Sequence, residues 1–201
     1  GGCSPGEGWG ILVDPDTSIT ISNCAINKNS AKEGGVAYIN RTSSGSGENI
    51  QYYPSTVTIN DGALITGNKG EANSGGFLIA NEGVVVTMNG GEFSKNSASS
   101  GGAFMTWRGS TFIMNGGKIT GNSVKNSGGG GYVSSKSTFK MNGGTISNNT
   151  AKTAGGIYIL RANVDLVGGT ISNNSAKQEI KMENGKEVKS GGSAGGIHIA
   201  G

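Results

Sequence analysis

Six copies of one spacing constrain this chain more than any other feature. An apolar residue followed three positions later by Asn occurs at Ile26/Asn29, Ile65/Asn68, Phe93/Asn96, Ile119/Asn122, Ile146/Asn149 and Ile171/Asn174. The asparagines follow one another at intervals of 39, 28, 26, 27 and 25 residues. A recurrence of this length is too short for a globular unit and suits one supersecondary unit stacked on its copies. Upstream of each anchor is a run with alternate apolar residues: Ile19/Ile21, Val57/Ile59, Val86/Met88, Phe112/Met114, Phe139/Met141 and Val164/Leu166. Downstream, after a Gly, comes a second alternating run: Val36/Tyr38, Phe77/Ile79, Ala103/Met105, Gly131/Val133, Ile157/Ile159 and Ile197/Ile199. Alternation bounded by Gly and Asn is the pattern of short strands joined by tight turns.

These runs predict an all-β parallel β-helix, a solenoid with three short strands per coil and about six to seven coils over residues 1–201. Each coil acts as the crossover that parallel neighbours need. Inward residues of successive coils then form columns that no single repeat can bury. At about 4.8 Å per coil, six coils give a rod roughly 30 Å long. Two stretches break the period, residues 41–54 and 178–193, and both read as loops inserted between coils. Glu183-Asn184-Gly185-Lys186 in the second is a hairpin turn signal. Gly10 to Val13 fits the downstream strand type, so the chain starts and stops within a regular coil, which points to a segment of a longer solenoid.

Composition matters here for what it excludes. With 39 Gly and 33% hydrophobic residues the chain departs from ordinary globular usage, yet it has 3 Pro and no Gly-X-Y period, so it is not collagen. The net charge of +3 comes from lysines scattered at positions such as Lys28, Lys95, Lys118, Lys140 and Lys177, not from a block, so no nucleic-acid partner is expected. No apolar run reaches the length of a membrane span.

Asn29, Asn68, Asn96, Asn122, Asn149 and Asn174 fall at one turn of successive coils and are expected to form a hydrogen-bonded ladder. Asn89-Gly90-Gly91, Asn115-Gly116-Gly117 and Asn142-Gly143-Gly144 mark another corner. Alternation in the downstream strand is expected to turn Leu12, Ala37, Leu78, Phe104, Tyr132, Tyr158 and His198 outward. Phe104, Tyr132, Tyr158 and His198 are therefore the candidate binding stripe, of the kind that stacks on sugar rings or meets a partner.

Signals for catalysis are weak. One histidine, His198, rules out most nucleophile and base pairs, and Asp14, Asp16, Asp61 and Asp165 are spread over separate coils. The outward residues of the first strand, Thr20, Thr58, Thr87, Ile113, Lys140 and Asp165, form neither an acidic cluster nor a regular Thr array. No catalytic residue, metal site or cofactor is expected. Cys3 and Cys24 either close a loop of about twenty residues, worth up to roughly 3 kcal/mol, or stay as free thiols.

Gly-Gly-Ala-Phe at 101–104, Gly-Gly-Ile-Tyr at 155–158 and Gly-Gly-Ile-His at 195–198 resemble the Gly-Gly-Ala-Ile repeats of the polymorphic outer-membrane proteins and related bacterial adhesins. Phe93-Ser-Lys-Asn96 matches their Phe-x-x-Asn motif, with Ile in place of Phe at 119, 146 and 171. The resemblance covers about residues 9–201. It implies a right-handed, pectate-lyase-like β-helix displayed outside a bacterial cell and often adhesive, with a host surface protein or glycan as partner. It leaves two other readings: part of a polysaccharide-cleaving enzyme of the same fold, or a structural spacer. As a segment the chain is expected to be monomeric, with no membrane insertion of its own.

Overall fold

The computed structural model describes residues 11–13, 17–31, 37–39, 42–44, 51–53, 55–70, 75–81, 83–183 and 186–201. All regular structure among them is β, and no helix there is long and apolar enough to cross a membrane. Four parallel sheets run along the molecule, of seven, six, six and six strands. In the first, Ile11–Val13, Ala37–Ile39, Leu78–Ala80, Phe104–Thr106, Gly131–Ser134, Ile157–Leu160 and Ile197–Ala200 lie side by side. The second stacks Ser18–Ile21, Thr56–Ile59, Val85–Met88, Thr111–Met114, Thr138–Met141 and Asn163–Leu166. Ala25–Asn27, Leu64–Thr66, Glu92–Ser94, Lys118–Thr120, Thr145–Ser147 and Thr170–Ser172 make the third. The fourth consists of two-residue strands, Ser30–Ala31, Lys69–Gly70, Ser97–Ala98, Ser123–Val124, Thr150–Ala151 and Ser175–Ala176. The chain is thus a parallel β-solenoid. Each coil carries the three strands expected plus a short fourth.

Why these residues make these strands follows from what each turns inward. In the second sheet the alternation is clean: Val57, Ile59, Val86, Met88, Phe112, Met114, Phe139 and Met141 are all within 1% of full burial, while Thr58, Thr87, Ile113 and Lys140 between them are half-exposed. The third sheet contributes one inward residue per coil, with Ile65, Phe93, Ile119 and Ile146 at 0% exposure. Together with the first sheet they form one continuous apolar cluster. The methionine tips reach past their own coil: a Cβ on Gly117 or Gly144 would run into the terminal methyl of Met88 or Met114. Those two glycines have φ of 79° and 86°, so the corner needs Gly for backbone shape as well as for space.

The two interruptions of the repeat are antiparallel hairpins. Thr42–Ser44 pairs with Gln51–Tyr53, leaving the solenoid between the first and second sheets. Gln178–Glu183 pairs with Lys186–Gly191, with Glu183 opposite Lys186, and leaves between the fourth sheet and the first; Asn184 and Gly185, the expected turn, lie outside the described residues. They emerge from different corners.

Cys24 is exposed immediately before the third sheet's first strand. Cys3 lies outside the described residues, as do Asp14 and Asp16.

Candidate functional site

The six asparagines at the corner between the third and fourth sheets explain the motif that carries them. Asn96 is typical. Its Nδ2 donates to Asn122 Oδ1 at 3.1 Å in the next coil and to the Ile65 carbonyl at 3.0 Å in the previous one. Its Oδ1 accepts from the backbone N–H and Nδ2 of Asn68, at 2.9 and 3.0 Å. Both donors and both lone-pair directions of the amide are used, which is what a side chain 1% exposed requires. The same pattern links Asn29 through Asn68, Asn122 and Asn149 to Asn174. Each Nδ2 from Asn68 onward reaches the carbonyl of the preceding coil's apolar anchor: Ile26, Ile65, Phe93, Ile119 or Ile146. The apolar-x-x-Asn spacing is therefore one structural unit, in which the anchor's side chain enters the core and its backbone seats the next asparagine. The residue before each ladder Asn is left-handed in every coil, whether Lys28, Gly67, Lys95, Gly121, Asn148 or Asn173.

A second, exposed ladder was not anticipated. Asn142 donates to Asn115, Asn115 to Asn89, Asn89 to Asn60 and Asn60 to Ser22, at 2.8 to 3.1 Å. It runs through the Asn-Gly-Gly corners, and the recurrence of Asn before Gly-Gly was the available signal.

On the first sheet the outward column differs from the expected one. Register places Leu12, Tyr38, Ile79, Met105, Tyr132, Tyr158 and His198 in line. Ala37, Leu78 and Phe104 instead share a register with Ile11, Gly131, Ile157 and Ile197, and of these Ala37, Phe104 and Ile157 are buried. Phe104 is fully buried, and its ring stacks on Phe112 at 3.9 Å and lies 6.0 Å from Phe139. It fills the space left by Gly131, where a Cβ would strike the Phe104 ring.

The shift has a simple cause. Matching Gly101-Gly102 to Gly155-Gly156 sets Phe104 on Tyr158, but the structure pairs Phe104 through Gly131 with Ile157, one residue earlier. Since side-chain direction has period two, one residue exchanges inside for outside. Counting from the ladder would have avoided this: Met105 and Tyr158 each lie nine residues after their ladder Asn.

Tyr132, Tyr158 and His198 do form a stripe. Tyr132 and Tyr158 stack with centroids 5.1 Å apart and planes at 28°, and Tyr158 and His198 at 5.2 Å and 22°. All three are half-buried, and Tyr158 is sandwiched between the other two rings. Ser193 and His198 Nδ1 lie 3.1 Å apart, which ties the ring to the segment following the second hairpin. Burial raises the Tyr132 phenol above its ordinary pKa of 10.0, and the neighbouring Tyr158 adds to the shift.

Beside the stripe lies a groove of about 480 Å³ lined by Met105, Trp107, Arg108, Tyr132, Ser134 and Leu160, among others. Trp107 follows Thr106 and Ser134 follows Val133, so they occupy one outward column with Leu160. The small Ser134 leaves a notch between the indole and the leucine. Trp107 is 36% exposed, an indole at the water's edge next to a cationic side chain. Sequence reasoning passed over Trp107 because it sits at a corner, one step beyond the strand.

Among the described residues, Asp61, Glu92 and Asp165 do not converge. Asp61 lies at an exposed corner, Glu92 on the third sheet, and Asp165 on the second sheet, 3.6 Å from Lys140. No group of three or more His, Cys, Asp or Glu able to hold a metal occurs among the described residues. Comparison of the chain with protein-family models, with curated proteins and with solved structures found no match.

Proposed function

We propose that this chain is a rigid, non-enzymatic binding segment of a secreted or surface-displayed bacterial protein, an adhesin-type stalk that meets host or matrix glycans through its first sheet. The observation that supports this most is the column Tyr132, Tyr158 and His198 stacked in successive coils beside the Trp107 groove. Half-buried rings stacked coil on coil make a continuous row of aromatic edges against which the apolar side of a sugar can pack, and hydroxyl and guanidinium groups at Ser134 and Arg108 suit its polar edge. A solenoid adds stiffness, because the strands carrying Tyr132 and Tyr158 are paired on both sides and little order is lost on binding. The acids just described lie apart from this groove, so the surface reads as one for holding a ligand.

The test is a glycan array and a panel of matrix proteins probed with the wild-type segment and with Tyr158→Ala. The expected result is retention of a defined set of glycans, weakened roughly tenfold by Tyr158→Ala with the β-rich circular dichroism unchanged. Retention of nothing by the wild-type segment would make it a spacer. Cleavage of a bound polysaccharide would contradict the non-enzymatic reading.

A further inference from the structure

The fourth sheet carries a second surface. Its strands place small residues, Gly70, Ala98, Val124 and Ala151, at one level in successive coils, so the sheet has a shallow floor. Two grooves of about 550 and 560 Å³ run over it and share Ser123, Val124 and Lys125, so they form one track across coils two to six. Four strides of about 4.8 Å make that track about 19 Å long. Hydroxyl groups of Ser97, Ser123 and Thr150, on the strands of three consecutive coils, line it together with that of Ser99. Lys69 stands at one end, and Lys125, Lys152 and Lys177 follow the strands of three consecutive coils. Lys125 and Lys177 are exposed. No carboxylate is among the described residues lining either groove.

We infer that this track binds a linear acidic polysaccharide laid along the solenoid axis. The coil-to-coil stride is close to the length of one sugar unit in an extended chain, so hydroxyls and lysines recur in step with the polymer. Lysine suits this because a flexible point charge meets carboxylate or sulfate without a fixed geometry. Among the described residues, neither an aromatic ring nor an arginine lines the track. A single-stranded nucleic acid would need rings on which its bases stack. A protein partner would need a deep apolar pocket for an anchor residue, and the floor offers none. This surface lies on a different sheet from the aromatic column and stands whether or not that column binds glycans.

The experiment is affinity electrophoresis of the whole segment through gels containing alginate, heparin or neutral dextran, with competition by a single-stranded DNA oligonucleotide. Alginate or heparin is expected to retard the chain in a salt-dependent way, and dextran to leave it unaffected. Lys125→Gln with Lys177→Gln should weaken the interaction about tenfold. Lys118→Gln with Lys136→Gln, the same loss of charge elsewhere, should leave it unchanged, as should Tyr158→Ala. Retardation by alginate alone identifies carboxylate as the recognised anion, and by heparin alone, sulfate. No retardation by either, equal loss with the control pair, or competition by DNA as tight as the polysaccharide would overturn the inference.

Discussion

Asn122 shows how a side chain is tied to its place in a repeat. It sits at 0% exposure with both amide protons donated, to Asn149 and to the Phe93 carbonyl, and with two N–H groups of Asn96 bonded to its oxygen. Asn122→Ala would strand partners on both sides in a region water does not reach, at a cost of about 3 kcal/mol. Asn115, in the exposed ladder, makes the same kind of side-chain bond where water replaces it, and Asn115→Ala should cost about 1 kcal/mol or less. Urea unfolding of the two variants checks the contrast. Tyr132 offers a different residue-scale test. Its phenol is raised by burial and by Tyr158, so folded and unfolded chains are both protonated there below pH 10, and only the folded chain holds the proton just above it. Stability from this group is complete below the ordinary tyrosine pKa and falls as pH rises towards the folded value. Tyr132→Phe should flatten that alkaline loss, measured as midpoint against pH.

At the scale of the strand, the packing is read best where one coil's bulk meets the next coil's gap. Phe104 and Gly131 are such a pair: the ring of one occupies the side-chain position the other lacks. Gly131→Ala should destabilise the solenoid by about 2 kcal/mol through overpacking, and Phe104→Leu in the same chain should recover part of that loss. A double-mutant cycle by chemical denaturation measures the coupling, and additive effects would mean that the two positions do not meet. The pair also shows why one strand type was harder to read than the other. In the second sheet, a polar Thr, Lys or Asp separates the apolar pair in every coil but that of Ile113, so direction is plain. In the first, Gly-Gly-Ala-Phe-Met-Thr holds apolar residues at consecutive positions, so alternation alone does not say which faces in. The buried ladder was legible because an asparagine at a constant distance from a core residue has few explanations. The Trp107 groove and the lysine track were not, because each is assembled from single residues of separate coils that only stacking brings together.

For the molecule as a whole, the solenoid turns a loose repeat into continuous surfaces. Residues about 25 apart in sequence become nearest neighbours, so one substitution per coil writes a column along the axis. The same geometry appears at the C-terminal end, where the core positions Leu166 and Ile199 are 51% and 63% exposed, while Met141 and Ile159 one coil earlier are buried. An inward residue is buried by the coil above it as much as by its own. Everything functional argued for the first sheet depends on this stacking placing Tyr132 directly over Tyr158, with Phe104 turned away inside. Disulfide trapping reads that register most directly, because neighbouring strands put aligned Cα atoms about 4.8 Å apart, within the range a disulfide spans. With Cys3 and Cys24 replaced by Ser, Met105→Cys/Tyr132→Cys should cross-link on mild oxidation, because the two are aligned in adjacent coils, and Phe104→Cys/Tyr132→Cys should not, because their Cβ atoms leave opposite faces of the sheet, as resolved by peptide mass mapping. Efficient cross-linking of the second pair, with none of the first, would contradict the account.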